Sequence, residues 1–144
     1  MKATTVGVLI GGVGLLLAAM PALAHHSFAA EYDAAKPVTL KGTVTKVEWM
    51  NPHARFYIDV KDDGGAVTNW EFELGSPNGL MRAGWTRNSL KQGDEVSVSG
   101  SLAKDGSHLA NARAVVLADG RKVFAGSSEN ENKQGEGKQG EGKQ

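Results

Sequence analysis

From residue 38 to residue 124 the apolar side chains recur mainly at every second position, the period of a strand with one buried face. That alternation excludes a helical fold and leaves the class of all-β folds. It also slips once. Val38, Leu40 and Val44 share one parity, whereas Val47 and Trp49 take the other. A parity switch inside one continuous strand pattern is what a β-bulge produces, and Gly42 permits tight bending nearby. The first strand is therefore expected to be long and curved, over about residues 38–49. Ala54, Phe56, Ile58 and Val60 alternate with Arg55, Tyr57, Asp59 and Lys61 in a second strand, and Asp62-Asp63-Gly64-Gly65 makes a hairpin turn. Trp70, Phe72 and Leu74 then point inward, with Asn69, Glu71 and Glu73 outward.

The pattern changes after Leu74. Ser76-Pro77 presents a cap residue followed by proline at the first helical position, a helix-start signal, and Gly84 ends the short segment. A further turn of helix is expected within residues 85–92, capped by Thr86 or Asn88. Val96, Val98 and Leu102 point inward on a fourth strand, residues 109–117 form a fifth, and residues 122–124 add a short last one. Three meander strands, a short helical connection and two further strands, the first long and bent, is the order of an OB-fold, a small five-stranded barrel. An open sandwich or a roll built from the same strands is the alternative.

Both ends of the chain are different in kind. Lys2 precedes an uncharged stretch of Val, Gly, Leu, Ile and Ala over residues 6–19, too short for the roughly 20 residues of a membrane span. Pro21 breaks it, and Ala22 and Ala24 offer the small residues a signal peptidase reads. Residues 1–24 are thus expected to be a cleavable signal peptide, residues 25–126 the β-barrel domain and residues 127–144 a disordered tail. That tail repeats Gly-Glu-Gly-Lys-Gln and holds no apolar residue with which to offset its ordering entropy. Export implies a periplasmic or secreted protein with no stable membrane span after cleavage.

Charge and cysteine content narrow the function. Removing Lys2 with the leader leaves 15 basic against 16 acidic residues, so nothing suggests a phosphate-tracking basic face, and a nucleic-acid partner is not expected. There is no cysteine, so any metal would be held by nitrogen and oxygen. Cleavage after Ala24 would make His25 the first residue, able to chelate one ion through its free amine and its ring nitrogen. His26 adds a second imidazole, a set that favours Cu(II). Asn51-Pro52 marks the turn between the first two strands, on a side of an OB barrel that borders its binding face. His53 follows it, with Trp49, Asn51 and Tyr57 as further contacts for a ligand. The plainer reading of His25 and His26 is a frayed polar terminus, and of His53 a turn histidine bonded to a neighbouring carbonyl. His108, after the Asp105-Gly106 turn, reads as exposed and structural.

The run His25-His26-Ser27-Phe28-Ala29-Ala30-Glu31-Tyr32-Asp33, then Gly42-Thr43-Val44 and Trp49-Met50-Asn51-Pro52-His53, resembles a family of small exported proteobacterial proteins of unknown function. Trp70-Glu71 and Gly93-Asp94 extend the likeness. The resemblance implies an exported β-rich domain in which the double-histidine start and the Asn-Pro-His turn recur; it implies no activity, and the tail departs from it.

Three functions fit these residues. The first is a periplasmic OB-type binding module that holds copper through His25, His26 and His53. The second is a non-metal envelope adaptor that binds a peptide, a glycan or a protein partner through Trp49 and Tyr57. The third, a copper oxygenase with a terminal-histidine brace, needs a substrate face that so small a domain does not obviously offer. No catalytic residue is identified, and an enzyme is not the expected class.

Overall fold

The computed structural model describes residues 28–125. The expected signal peptide, His25, His26 and the polar tail lie outside them. The chain begins with a single helical turn, α1 (Phe28–Glu31), which runs directly into β1 (Tyr32–Glu48). Then come β2 (Arg55–Lys61), β3 (Val67–Glu73), a short helix α2 (Pro77–Arg82), β4 (Glu95–Ala103), β5 (Leu109–Leu117) and β6 (Lys122–Phe124).

The strands lie in the order β3-β2-β1-β4-β5-β6, and a parallel pairing of β3 with β5 closes the first five into a barrel. With its helix between β3 and β4, this is the OB arrangement and an all-β fold. Closure depends on β1, whose 17 residues pair in turn with two neighbours. Its first part runs antiparallel to β4, from Tyr32 opposite Ala103 to Thr43 opposite Glu95. Its second part runs antiparallel to β2, from Thr43 opposite Asp59 to Glu48 opposite Arg55. Thr43 is therefore bonded into the sheet on both sides, at the place where the strand turns the corner. Gly42 stands beside it because a β-carbon there would overlap the carbonyl of Asp59.

The parity slip has the expected cause: the β1–β2 register shifts between Val44 and Lys46. Val44 is buried and Val47 also packs on the core, although they are three residues apart. A second slip, opposite Ser99 and Gly100, does the same for β5. There Ala110 and Ala112 face the core on one parity, and Val115 and Leu117 are buried on the other.

The barrel is filled by Phe56, Ile58, Phe72, Leu74, Val98 and Val115, all nearly inaccessible, with Phe56 and Phe72 stacked at 5.3 Å between ring centroids. Leu80 of α2 joins that core, as do Trp85 and Leu90 from the segment that follows. Helix α2 starts as its sequence dictates. The Ser76 hydroxyl accepts a hydrogen bond from the Gly79 amide at 3.2 Å, satisfying one of the unpaired N–H groups of the first turn, and Pro77 has no N–H to satisfy.

Two expectations need correction. The first strand begins at Tyr32 rather than near residue 38. After Trp85 a capped turn forms but does not grow into a second helix: the Thr86 hydroxyl accepts from the Asn88 amide as an N-cap does, and the Ser89 amide donates to the Thr86 carbonyl at 3.1 Å. Among the described residues no helix is long and apolar enough to cross a membrane.

Candidate functional site

The loop between β1 and β2 is pinned to the end of β3. The Ala54 amide donates to the Gly75 carbonyl at 3.0 Å, and the Leu74 amide donates back to the Ala54 carbonyl at 2.8 Å. The Asn51-Pro52 peptide is cis. His53, held between that turn and the buried Ala54, stands beside the last residue of β3, with its Nδ1 3.4 Å from Oε1 of Glu73.

Glu73 lies on the outward parity of β3, yet it is only 3% exposed. The reason is α1 and the start of β1, which fold over the outside of the barrel here. Phe28, Tyr32 and Ala103 form a small apolar cluster of their own, with Leu109 against it. The Phe28 and Tyr32 rings are 5.6 Å apart. The Lys104 amide donates to the Glu31 carbonyl at 2.9 Å, and the Lys104 ammonium donates to the Ala29 carbonyl at 2.6 Å. The start of the described chain is thereby fastened to the β4–β5 loop.

A buried carboxylate is costly unless donors replace its water. Glu73 has several. The Tyr32 hydroxyl lies close enough to interact with it. Asn111, brought opposite by the β3–β5 pairing, donates from Nδ2 to Oε1 at 3.4 Å. A guanidinium nitrogen of Arg55 lies 3.7 Å from Oε2, while another donates to Glu71 at 2.6 Å. Burial, above all, raises the Tyr32 pKa far beyond its ordinary value, and the negative charges of Glu73 and Glu31 add to the effect. The pairing of Glu71 with Arg55 suits the outward parity expected of it, whereas the burial of Glu73 does not.

The other residues singled out in the sequence are distributed around this cluster. Trp49 packs against the barrel core, and Asn51 is exposed. Tyr57 is half-buried on the outer face, its hydroxyl donating to Glu48 at 3.0 Å, with the Lys46 ammonium 5.3 Å from its ring centre and paired with the same glutamate. Burial and the hydrogen bond to Glu48 raise the Tyr57 pKa, while the bonds from Lys46 and Tyr57 lower that of Glu48. Three separate environments thus hold Trp49, Asn51 and Tyr57. His108 is exposed, with its ring 5.0 Å from that of Trp70, which is itself half-buried against the core. Tyr32 and Glu73 are the site residues that sequence reasoning missed. Their only signal was the place of Tyr32 in the run after the two histidines.

Among the described residues no group of three or more His, Cys, Asp or Glu is placed to hold a metal. A groove of about 630 Å³ opens at the opposite ends of these strands, lined by Lys41, Asp59, Lys61, Val67 and Glu95 among others. Its two lysines and two carboxylates favour no ligand charge.

No curated protein matches the chain. Among solved structures it is similar to the N-terminal domain of the PriB protein from Thermoanaerobacter tencongensis, described as dimeric. The identity is 18% and the TM-score 0.40, over 58% of this chain and 97% of that one. A model of the family of unknown function DUF6152 matches residues 13–112, more than half of the chain, and the protein belongs to that family.

Proposed function

We propose that this protein is a periplasmic binding module of the OB type, and that it holds a copper ion between its mature N-terminus and the β1–β2 loop. His25 would chelate through its amine and ring, and His26 and His53 would supply two further imidazoles. Copper tops the affinity order for such nitrogen ligands and would serve as cargo or as a redox centre.

One observation supports this reading: Phe28 and Tyr32 pack together on the outside of the barrel, with Tyr32 close to Glu73, the residue beside His53. The first described residues therefore lie on the same side of the barrel as the Asn-Pro-His loop. Phe28 packs on Tyr32, and His26 is only two positions before Phe28 in the sequence. The donor chemistry fits as well, since His53 is half-buried and has a carboxylate behind it, as metal-bound imidazoles usually do.

The test is Cu(II) titration of protein shown by intact mass to begin at His25. Saturation at one equivalent is expected. An extra Met before His25 moves the free amine away from the ring and should collapse the affinity while leaving every side chain in place. His53→Ala should weaken binding by a smaller factor. If His53→Ala binds as tightly as wild type, the barrel takes no part. The adaptor reading then replaces this one, supported by Met50, which is 48% exposed in the same loop.

A further inference from the structure

We infer that the groove between Lys41, Lys61 and Glu95 is a binding site for a short zwitterionic peptide, a dipeptide with an apolar C-terminal residue. It lies at the other ends of the strands from His53, and the inference is independent of the metal-binding reading.

Strand register sorts the charges of this groove. The outward side chains that line it fall into two rows running across the strands. In one row Val67 stands opposite Lys61, and Lys41 stands opposite Ser97, which faces Val116 in turn. In the other Asp59 stands opposite Thr43, and Thr43 opposite Glu95. Lys41 and Lys61 share a row because each is two residues from the Thr43–Asp59 pair, on the same side of it. One row thus carries both lysines and the other both carboxylates. Two residues along a strand separate them, about 6–7 Å. The charges cancel in sum, but they are held apart. A ligand that satisfies both rows carries a negative and a positive end at that spacing.

These charges are free to bind. Lys41, Lys61 and Glu95 are exposed, and none is ion-paired with another described residue. Asp59 already accepts from Nδ2 of Asn69 at 2.8 Å, which leaves Glu95 for an ammonium and the two lysines for a carboxylate. Length selects the ligand. An extended dipeptide spans about 7 Å, whereas the two charges of a free amino acid sit on one carbon. Val67, which is 55% exposed, and Val116 flank the lysine row, so the residue that carries the carboxylate has apolar surface to cover. The volume of about 630 Å³ suits a ligand of this size.

Titration of ¹⁵N-labelled protein with glycyl-leucine tests this. The amide signals of Lys41, Lys61, Ser97 and Leu117 should shift and saturate. N-acetylglycyl-leucine lacks the ammonium and glycyl-leucinamide the carboxylate. Each should bind about two- to fivefold more weakly, the worth of one exposed ion pair, and free leucine should also bind more weakly. The double variant Lys41→Gln, Lys61→Gln should bind the dipeptide and its amide alike, and Glu95→Gln should bind the dipeptide and its acetylated form alike. The blocked peptides also test the inference on wild type alone, whatever the variants do to folding. No saturable shift at these amides overturns it, as does equal binding of the blocked peptides to wild type. A discrimination that survives in folded variants overturns it too. Shifts centred on Trp49 and Tyr57 overturn it in favour of the adaptor reading.

Discussion

Gly42 packs so closely on the backbone of Asp59 that a β-carbon at position 42 would overlap the Asp59 carbonyl oxygen. That contact lies where β1 leaves β4 and takes up β2. Gly42→Ala should therefore cost about 1–3 kcal/mol or more, since the obstacle is backbone and has no rotamer with which to yield. Urea unfolding checks this; a lowered midpoint with an unchanged slope is expected.

The aromatics of β3 should separate by burial. Phe72 is inaccessible and stacked on Phe56, so Phe72→Ala should cost about 3–5 kcal/mol. Trp70 is only half-buried at the edge of the same core, and Trp70→Ala should cost clearly less in the same unfolding experiment.

Tyr32→Phe removes a buried hydroxyl beside the Glu73 carboxylate and should destabilise by about 1–3 kcal/mol near neutral pH. Its alkaline behaviour is the more specific test. The Tyr32 pKa is raised in the folded protein, so the fold keeps a proton that the unfolded chain releases above about pH 10. The folded state then binds more protons, and stability falls as pH rises through that range. The fall should be shallower in Tyr32→Phe when both proteins are unfolded at about pH 9 and 11.

His108→Ala should leave Cu(II) stoichiometry and affinity as they are in the same titration. Its ring contacts Trp70, so a loss of stability of at most about 1.5 kcal/mol is expected from unfolding curves.

Much of this barrel could be read from alternation alone. The boundaries of β5 and β6, the bulge in β1 and the Ser76-Pro77 helix start were readable because each is set by local chemistry that side-chain type reports. The start of β1 was not. Residues 33–36 show no alternation; they form an irregularity between the Tyr32–Ala103 and Pro37–Ser101 pairings with β4, and only those distant pairings make the segment strand. Glu73 failed for a related reason. Its parity correctly gave the outer face of β3, but whether an outer face is wet depends on what folds over it. Here the cover comes from Phe28 and Tyr32, more than forty positions earlier in the chain. The candidate site was half readable: the sequence picked out His53, but not the buried group behind it.

The parallel seam between β3 and β5 also has a consequence for when the site exists. His53, Arg55 and Glu73 belong to one β-hairpin and its preceding loop, a local unit with little loop entropy to overcome. Asn111 and Tyr32 arrive from 38 residues after Glu73 and from some forty before it, and such distant pairings carry a larger closure cost. A chain in which the hairpin has formed but the seam has not still places His53 near a carboxylate, but that carboxylate is wet and mobile. The support that holds the ring is thus a property of the closed barrel. Amide hydrogens across the seam, such as that of Glu71, bonded to the His108 carbonyl at 2.9 Å, should exchange at the rate at which the site itself opens and re-forms.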